Sequence, residues 1–416
     1  MPEFLQLLPP GEALSLLKEA LRTAQGANFQ IPGEEVDIQD ALGPVTVQAV
    51  AAPHSLPSFP RSTVDGFAVR AADTYGASEG LPAYLNVIGE VPMGATRELD
   101  HRPSECALIH TGGMLPKSAD AVVMVEYTQS VRGGEIEILR AVAVSENVLN
   151  VGEDVSSGQV VIPAGVRLRP AEIGGLAALG ITRVQVARRP RVGIISSGDE
   201  VVPVDTEIQP GQVRDVNAHS LSALVQDAGG EAVLFGIVRD DAEALETTAG
   251  KALETCDVVV ITAGSSASTR DLTSTVINRL GEPGVLVHGV NVRPGKPTIL
   301  ALCNGKVMIG LPGNPVSALV IAMLFVIPVI QDLQGLPNER IKPFLTARLS
   351  LNLASQAGRE DWIPVRVLSS EHGYQAEPVF GKSNLIFTLA RADGLVRIPP
   401  DATGLSAGES VEVILL

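Results

Sequence analysis

The sequence predicts a doubly wound, mostly parallel α/β domain flanked by regions of mainly β structure. Two observations support this prediction. From residue 189 onward, short apolar strands alternate with helical patterns, as expected for a parallel sheet buried on both faces. Before residue 145 and after residue 337, β-prone runs are separated by Gly and Pro turns instead. The length of 416 residues suits two to four domains.

Composition excludes several classes of protein. The net charge of -16 disfavours nucleic acid as a partner, because the phosphate backbone needs a basic face. The three cysteines lie far apart and form no CxxC pair, so neither a disulfide framework nor a zinc site is predicted. We therefore expect a reducing, cytoplasmic location, and the amino terminus lacks the pattern of a secretory signal.

The regions before the α/β domain differ in character. The chain opens with a helical pattern, GEALSLLKEALRTA, followed by a Pro/Gly turn. Residues 54–144 carry short β-prone runs such as AYLNVIGEV, ADAVVMVEY and EIEILRAVAV, which predict a mainly β module. Residues 145–188 predict a turn, a strand and a short helix that ends at Gly180.

The α/β region predicts its elements in a regular order. RVGIISSG, EAVLFGIV and DVVVIT are strands, each followed by a helical pattern, and GVLVHGVNV, TILALC and KVMIG are further strands. Asn217 is the expected cap of the first helix, and Gly229 and Gly230 its end. The last helix contains VSALVIAMLFVIPVI (316–330), which is interrupted by Pro328 and falls short of the roughly 20 residues of a membrane span. We expect a buried helix and no membrane contact. After it, FLTARLSLNL, DWIPVRVLSS and ESVEVILL predict a small β-barrel or sandwich.

The loop after DVVVIT is the first candidate site. Residues 262–271 read TAGSSASTRD, and they join the carboxyl end of a strand to the start of a helix. Bare N–H groups of Gly264, Ser265 and Ser266, together with the helix dipole, favour an anion. The alternative is a Ser-rich turn without a ligand.

Carboxylates follow three strands of the same predicted sheet. They are Glu200, the pair Asp240 and Asp241, and Asp271. Acids on adjacent strand ends suit Mg²⁺, which takes oxygen ligands and shares them with phosphates. The alternative is helix capping, which is the simpler interpretation of Asp241.

Two further loops follow strands. Arg293 and Lys296 flank Pro294–Gly295 and are candidate phosphate ligands in an acidic protein, or else part of a solvated turn. LPGNPVSAL (311–319) has prolines on both sides of Gly313–Asn314, which predicts a rigid wall rather than a phosphate cradle. The alternative for this second loop is an ordinary strand-to-helix turn. GVNVRPGKP lacks P-loop spacing, AGSSAS lacks the last Gly of a nucleophile elbow, and the six histidines show no paired ligand spacing.

Taken together, the segments resemble one family over essentially the whole chain. STVDGFAV is similar to the S-A-M-D-G-Y-A signature of the molybdopterin molybdenumtransferases, the family of MoeA and the gephyrin E domain. HTGGMLPKSADAVVMVE resembles its T-G-A-x-x-P-x-x-A-D-A-V-V segment, and VGEDVSSG its G-E-D-I-x-x-G stretch. VGIISSGDEVV, DVNAHSL, FGIVRDD, RPGKPTILA, GLPGNPVSAL and GKSNLIFTLARADGLVRIP follow in the family's order.

The resemblance implies a Mg²⁺-dependent transferase of molybdenum cofactor biosynthesis. In the family reaction, molybdate replaces the adenylyl group of adenylylated molybdopterin, and AMP is released. By this resemblance the functional acids and the threonine are Asp65, Thr111, Asp154, Glu200, Asp240 and Asp271. The metal ligands would be Glu200, Asp240 and Asp271. The substrate-binding residues would be Gly264, Ser265, Ser266, Arg293, Lys296, Pro312, Pro315 and Ser383, and to these we add Arg270, which the family pattern does not include.

This chain departs from the family pattern at two places. Ala263 and Ser268 replace glycines of the anion loop, and Arg270 is added. Basic residues often precede G-E-D in the family, whereas residues 149–151 here are Leu, Asn and Val. We predict that Arg270 takes over part of that missing charge, because a guanidinium can grip an oxyanion with two parallel N–H bonds.

The resemblance also implies the domain organisation. Residues 1–53 and 145–188 would form an elongated linker domain, 54–144 the β-rich module, 189–336 the molybdopterin-binding α/β domain, and 337–416 the C-terminal small β-barrel domain. The family implies a homodimer in which Asp65 and Thr111 act in trans on the α/β site of the other subunit. Two alternatives remain at this point: a nucleotide-processing enzyme such as an adenylyltransferase or a CinA-like hydrolase, and a non-catalytic scaffold. The sequence leaves open whether the oxyanion is molybdate or tungstate.

Overall fold

The computed structural model describes most of the chain. The described residues are 7–94, 99–263, 267–337, 343–371 and 373–416, without the side chains of residues 267–271. The predicted anion loop at 264–266 and the side chains of Arg270 and Asp271 therefore lie outside the described part.

The first helix, α1 (Pro10–Gln25), packs on the α/β core rather than on the linker strands. Its buried face is formed by Ala13, Leu17 and Leu21, spaced four residues apart, and these side chains join the same core as Leu300 of the α/β sheet. The sequence had placed residues 1–53 wholly in the linker. The difference arises because this apolar face needs a broad hydrophobic surface, which the small sheets of the linker do not offer.

The chain passes twice through a linker region that is built from small two-stranded sheets. On the first pass it forms β1 (Gly33–Asp37) and β2 (Val50–Ala51), and on the second β11 (Val160–Ile162), α2 (Pro170–Ala178) and β12 (Arg183–Ala187). β1 pairs with β12 and β2 with β11, both antiparallel. The two passes share one small core.

Between the two passes lies a β module. Its strands are β3 (Arg61–Ser62), β4 (Gly66–Val69), β5 (Ala83–Glu90), β6 (Glu105–Ile109), β7 (Ala121–Met124), β8 (Thr128–Ser130), β9 (Glu135–Ile138) and β10 (Val148–Leu149). Six of them form one mixed sheet in the order β7-β4-β6-β5-β9-β8, and β3 pairs with β10. In that sheet β5 and β6 are parallel, whereas β4 is antiparallel to β6.

The α/β region is built on a second six-stranded sheet. Its strands are β13 (Arg191–Ser197), β16 (Glu231–Val238), β17 (Val258–Ala263), β18 (Pro283–His288), β20 (Ile299–Cys303) and β21 (Lys306–Pro312), and the short strands β14 (Val201–Val202), β15 (Val213–Arg214) and β19 (Val292–Arg293) lie outside it. The order is β16-β13-β17-β21-β20-β18. Val258 and Val260 join the core on one face, and Val259 and Ile261 the core on the other. The predicted mostly parallel sheet with both faces covered is confirmed.

One edge of this sheet is antiparallel. β20 pairs antiparallel with both β21 and β18, whereas β16, β13, β17 and β21 are parallel. The reason is the connection between β20 and β21, which is only Asn304 and Gly305, both with positive φ of 51° and 82°. An Asn-Gly pair in this conformation makes a tight hairpin, and a hairpin forces neighbouring strands to run antiparallel.

Helices cover both faces of the sheet. They are α3 (Val216–Asp227), α4 (Ala242–Thr255), α5 (Ala267–Leu280), α6 (Pro315–Ile321) and α7 (Ile327–Leu333). A π-helical turn at Ala322–Val326 separates α6 from α7, just before Pro328, which has no N–H to donate. The stretch Pro315–Leu333 has 19 residues, and 18 consecutive residues of it reach a mean hydropathy of 2.3, enough for a membrane span, but 61% of those residues are buried inside the protein. The helix is thus largely part of the core, as expected.

The C-terminal region is a small barrel. Its elements are β22 (Phe344–Leu349), β23 (Leu353–Ala354), β24 (Glu360–Ser370), β25 (Gly373–Pro378), α8 (Phe387–Ala390), β26 (Gly394–Ile398), β27 (Gly404–Leu405) and β28 (Ser410–Leu415). The strands run in the order β24-β25-β22-β28-β26, and β26 also pairs with β24, which closes the barrel. β19 of the α/β region adds to β24 and so joins the two regions.

Candidate functional site

A cavity of about 610 Å³ opens at the carboxyl ends of β13 and β17. Its wall includes Ser197 and Thr262 from these strand ends and Asn384 from the C-terminal region. In α/β sheets, ligands bind at this edge because the strand-to-helix loops converge there. The cavity therefore lies where the sequence predicts a site, with the C-terminal region as one of its walls.

Two of the predicted acids flank one turn at this edge. Ser197 donates through Oγ to Oδ1 of Asp240 over 2.8 Å, which ties the loop after β16 to the end of β13. Glu200 lines the cavity, and its carboxylate folds over Gly198, where a Cβ would lie only 2.9 Å from Oε2. Gly198 has a φ of 152°, which L side chains rarely adopt, so the turn favours glycine, and it leaves Glu200 at the same edge of the sheet as Asp240.

The other strand-end acids differ from these two. Asp241 accepts a hydrogen bond from the N–H of Ala244 over 2.8 Å and caps α4, so the capping interpretation is confirmed. The side chain of Asp271 lies outside the described residues. Within the described part of the chain, His, Cys, Asp and Glu side chains form no group of three that could hold a metal ion. The predicted set of Glu200, Asp240 and Asp271 remains a prediction.

Asn217 occupies a different role from the predicted one. The cap of α3 is Asp215, whose side chain accepts from the N–H of Ala218, and Asn217 lies inside the helix. The amide of Asn217 donates through Nδ2 to the carbonyl of Gly313 over 2.8 Å. This bond joins the start of α3 to the proline-rich loop before α6.

Two buried polar atoms beside the cavity lack a protein partner among the described residues. They are Oδ1 of Asn217 and Oγ of Ser196, and both residues line the cavity. Buried polar atoms are nearly always hydrogen-bonded to protein, water or ligand. The pair therefore offers hydrogen-bonding capacity next to the cavity that the fold itself does not use.

The proline-rich loop forms a fixed wall, as predicted. Pro315 lines the cavity and begins α6. Asn314 donates through Nδ2 to Oγ of Ser383 over 3.0 Å, and the N–H of Val316 donates to the carbonyl of Ser383 over 3.0 Å. Ser383 thus fastens the C-terminal region to the start of α6. Pro312 lies instead in a small recess of about 10 Å³, which Pro297 also lines and which has room for one water.

The two predicted cations sit at the junction with the barrel. The backbone of Arg293 pairs with Asp361 in β24, and its Nη1 lies 3.8 Å from Oδ2 of that residue. Asp361 is fully buried and already accepts two bonds from Arg359, at 2.6 and 3.0 Å. Lys296 is exposed in the same loop. Arg293 therefore takes part in joining the two regions, and phosphate binding by either cation remains a prediction.

A second cluster lies at the edge of the β module. Asp65 accepts a hydrogen bond through Oδ1 from the backbone N–H of Thr111 over 3.0 Å. Nδ1 of His110 lies 3.4 Å from the same oxygen, and Nε2 of His110 lies 3.0 Å from Oε1 of Glu90. The structure thus brings the predicted Asp65 and Thr111 together. His110 and Glu90 were missed by the sequence analysis, although His110 directly precedes the threonine of the motif.

The electrostatics of this cluster follow from its contacts. The N–H of Thr111, with a further contribution from His110, lowers the pKa of Asp65. The hydrogen bond to Glu90, together with Asp65, raises the pKa of His110. Asp154, the remaining predicted acid, is exposed in the returning linker, where its N–H donates to the carbonyl of Leu56 over 3.1 Å.

Known protein families and relatives match this chain along nearly its whole length. Residues 8–180 match the MoeA N-terminal region (domain I and II), 193–332 a probable molybdopterin binding domain, and 346–416 the MoeA C-terminal region (domain IV). A putative molybdopterin biosynthesis protein of Methanocaldococcus jannaschii is 36% identical over 99% of this chain and 98% of its own length. The molybdopterin molybdenumtransferase of Bacillus subtilis is 33% identical over 96% and 93%.

Solved structures show the same relationship in three dimensions. A crystal structure of a molybdopterin biosynthesis MoeA protein from Pyrococcus horikoshii superimposes with a TM-score of 0.84 at 31% identity, covering 99% of this chain and 100% of that chain. A second structure from the same organism gives 0.80 at 38% identity, with 99% of each chain covered. The match extends over the flanking regions as well as the α/β region, and the chain therefore belongs to the MoeA family of molybdopterin molybdenumtransferases.

Proposed function

We propose that this protein inserts molybdenum into adenylylated molybdopterin and releases AMP, as a step of molybdenum cofactor biosynthesis. The observation that carries the proposal is the cavity at the strand ends, with Glu200 in its wall and Asp240 held beside it, in a chain related over its full length to molybdenumtransferases. Its volume of about 610 Å³ suits a ligand of the size of a nucleotide or pterin conjugate.

Magnesium is the proposed cofactor, and the chemistry of the oxygen donors at this edge supports the proposal. Glu200, Asp240 and the hydroxyl of Ser197 supply only oxygen atoms at this edge, which are the ligands of a hard cation. We propose that Glu200 and Asp240 hold the ion, with Asp271 as the third acid. When bound, Mg²⁺ supplies neutralisation of charge on the phosphates and the leaving AMP.

The remaining wall would orient the substrate. Asn217 and Ser196 offer unused hydrogen-bonding atoms, and the wall of Asn314 and Pro315 is held by the hydrogen bond from Asn314 to Ser383 of the C-terminal region. Because this wall is already fixed before the substrate binds, less entropy is lost when the reacting groups are aligned. We propose that residues 264–266, Arg270, Arg293 and Lys296 contact the anionic groups of the substrate and the oxyanion.

The cluster of Asp65 and Thr111 is carried by a different sheet from the cavity. We propose that the protein is a cytoplasmic homodimer and that this cluster completes the cavity of the partner subunit. The support is that both sets of candidate residues are ordered locally, by separate hydrogen bonds, on separate sheets. Asp154 would belong with the cluster of the β module.

The test is product formation by the purified protein. Adenylylated molybdopterin, molybdate and Mg²⁺ are supplied, and AMP and pterin-bound molybdenum are measured together. We expect AMP to appear in step with bound molybdenum and to be absent without oxyanion. Parallel reactions with tungstate show which oxyanion is preferred. Tight binding of the pterin without AMP release would support the non-catalytic scaffold instead.

A nucleotide-processing enzyme remains the other candidate, because the α/β region alone can hold a nucleotide. It is disfavoured by the match of the flanking regions, residues 8–180 and 346–416, to MoeA sequences. Release of AMP from the adenylylated pterin at an equal rate with and without oxyanion would identify a hydrolase and overturn the transferase.

A further inference from the structure

We propose that His110 is a positioning residue, which bridges Glu90 and Asp65 and so holds Asp65 in the orientation that the reaction needs. The inference rests on the proposed function, because Asp65 matters only if the β module contributes to the reaction. It concerns a histidine and a glutamate to which neither the sequence motifs nor the proposed mechanism gives a role.

The fold places the three side chains in a row at one edge of the sheet. β6 is the middle strand, with β4 on one side and β5 on the other. Gly66 lies opposite Ile109, and Glu90 lies opposite Leu108. Asp65 directly precedes β4, His110 directly follows β6, and Glu90 is the last residue of β5. Neighbouring strand ends thus bring the imidazole between two carboxylates.

The backbone around His110 is fixed on both sides of the turn. The N–H of Gly113 donates to the carbonyl of His110 over 2.8 Å, and the N–H of Gly112 donates to the carbonyl of Ser62 over 2.8 Å. Gly112 has a φ of 83°, and a Cβ on Gly113 would lie 2.9 Å from the carbonyl oxygen of His110. Both positions therefore need glycine. The side chain of His110 starts from a rigid turn and reaches the two acids from there.

The contacts require a particular protonation state. Nδ1 faces Oδ1 of Asp65 at 3.4 Å, and Nε2 faces Oε1 of Glu90 at 3.0 Å. Only imidazolium donates from both nitrogens, whereas neutral imidazole presents a lone pair on one of them. A neutral His110 would set that lone pair against a carboxylate and lose one of the two contacts. The cation is therefore the form that holds both acids in place.

The pH range follows from the direction of the pKa shifts. Among the described residues, the groups that face His110 are Glu90 at the end of β5 and Asp65 before β4, and both raise its pKa above the ordinary value. The bridge is thus complete below the ordinary pKa of histidine and is lost as pH rises through the raised pKa. Asp65 has a lowered pKa and remains a carboxylate over the whole of that range. The orientation of Asp65, and not its charge, is what changes.

The experiment compares pH profiles of kcat/KM for AMP release by the wild type, His110→Gln and Glu90→Gln. We expect kcat/KM of the wild type to fall at alkaline pH, which gives the profile an alkaline limb. The midpoint of this limb should match the titration of the His110 ring protons followed by NMR. Glu90→Gln should move both midpoints to lower pH. His110→Gln should lack this limb and should lower kcat/KM at acidic pH by about two- to fivefold, the size expected for an exposed ion pair.

A matched control is His54→Gln, which removes another exposed imidazole and should leave the profile unchanged. Persistence of the same alkaline limb in His110→Gln overturns the positioning role, as does a limb that Glu90→Gln does not move. Absence of oxyanion-dependent AMP release from the wild type at every pH overturns the proposed function, and the role of His110 falls with it. An active enzyme with an unaltered limb in His110→Gln overturns only the inference.

Discussion

The amide of Asn314 donates to the hydroxyl of Ser383 over 3.0 Å, across the boundary between the α/β region and the C-terminal region. This bond and the backbone bond from Val316 to Ser383 hold one wall of the cavity against the start of α6. We expect Ser383→Ala to raise KM for adenylylated molybdopterin by about two- to tenfold, the effect of one lost hydrogen bond on a binding wall.

The control for this variant is Ser370→Ala. Ser370 lies on the same barrel and donates to the carbonyl of Gly373 over 2.8 Å, in an exposed hairpin. Its removal deletes the same kind of group without altering the cavity, so KM should not change. Equal KM values for the wild type and Ser383→Ala would contradict a role for this wall in binding.

Adjacent acids allow a sharp test of the magnesium proposal. Asp240→Asn should raise the Mg²⁺ concentration needed for half-maximal AMP release by roughly tenfold or more, because a charged oxygen ligand is lost. Asp241→Asn should leave both activity and stability unchanged, because Asn caps helices as well as Asp does. Magnesium titration of both variants gives the answer. Similar Mg²⁺ dependence in the two would remove Asp240 from the metal site.

Subunit mixing tests whether the site is shared between two chains. Asp65→Asn and Glu200→Gln should each be inactive alone. After exchange, statistical heterodimers should restore up to about a quarter of wild-type activity, because half of the dimers are mixed and each contains one intact site.

The matched control mixes Glu200→Gln with Asp240→Asn. Both changes lie at the same cavity, so every site of every heterodimer carries a defect, and mixing should add no activity to that of the two variants measured separately. Recovery in this control, or no recovery in the first mixture after exchange is verified by mass spectrometry, would contradict a composite site.

Arg270 lies near the end of the predicted anion loop, residues 262–271, and calorimetry can measure its contribution. We expect Arg270→Ala to weaken binding of adenylylated molybdopterin or of the oxyanion by about one to two orders of magnitude, since a charged hydrogen bond contributes roughly 1.5–3 kcal/mol. Arg270→Lys should recover part of the affinity. Arg279→Ala is the control, because Arg279 lies in the last turn of the same helix and pairs with Glu246 at 3.3 Å. Unchanged affinity in Arg270→Ala would make it a solvated residue at the helix start.

Asp361 provides a stability test at the junction of the two regions. Asp361→Asn should lower the free energy of unfolding of the barrel by about 3 kcal/mol, because Arg359 loses the partner of a bidentate pair with a fully buried carboxylate. Urea unfolding followed by the fluorescence of Trp362, the single tryptophan, reports on this barrel. Glu35→Gln breaks the exposed pair with Arg183 and should change stability by less than about 1 kcal/mol. Equal losses in the two variants would contradict a special role for burial.

Much of the fold follows from local pattern in the sequence. Val258–Ala263 is a nearly continuous apolar run, and its side chains are buried on both faces of the sheet. This is expected because a central parallel strand has a helix layer on each face. The hairpin between β20 and β21 also had a local signal, the Asn-Gly pair at 304–305, which the sequence analysis did not use. The antiparallel edge of the sheet can therefore be predicted from these two turn residues.

Some features of the site cannot be predicted from local sequence patterns, because they depend on residues that are far apart in the sequence. Asn217 has the residue type of a cap, but its amide bonds to Gly313, which lies 96 residues away. Arg293 has the sequence features of a phosphate ligand, but in the structure its guanidinium lies beside Asp361 of the barrel, which begins only after residue 343. His110 lies in a recognisable motif, yet its role depends on Glu90 at the end of a neighbouring strand. Such relationships are set by sheet order, which sequence spacing alone does not specify.

The position of α1 has a consequence for synthesis on the ribosome. This helix is made long before the sheet that it packs on, because its apolar face of Ala13, Leu17 and Leu21 lies in the core with Leu300 and Leu302. The linker and the β module can complete their own pairings in the meantime, because their strands all lie between residues 33 and 187. The nascent chain therefore carries an uncovered hydrophobic stripe until the strands near residue 300 are made, and transiently exposed apolar surface of this kind is what chaperones protect.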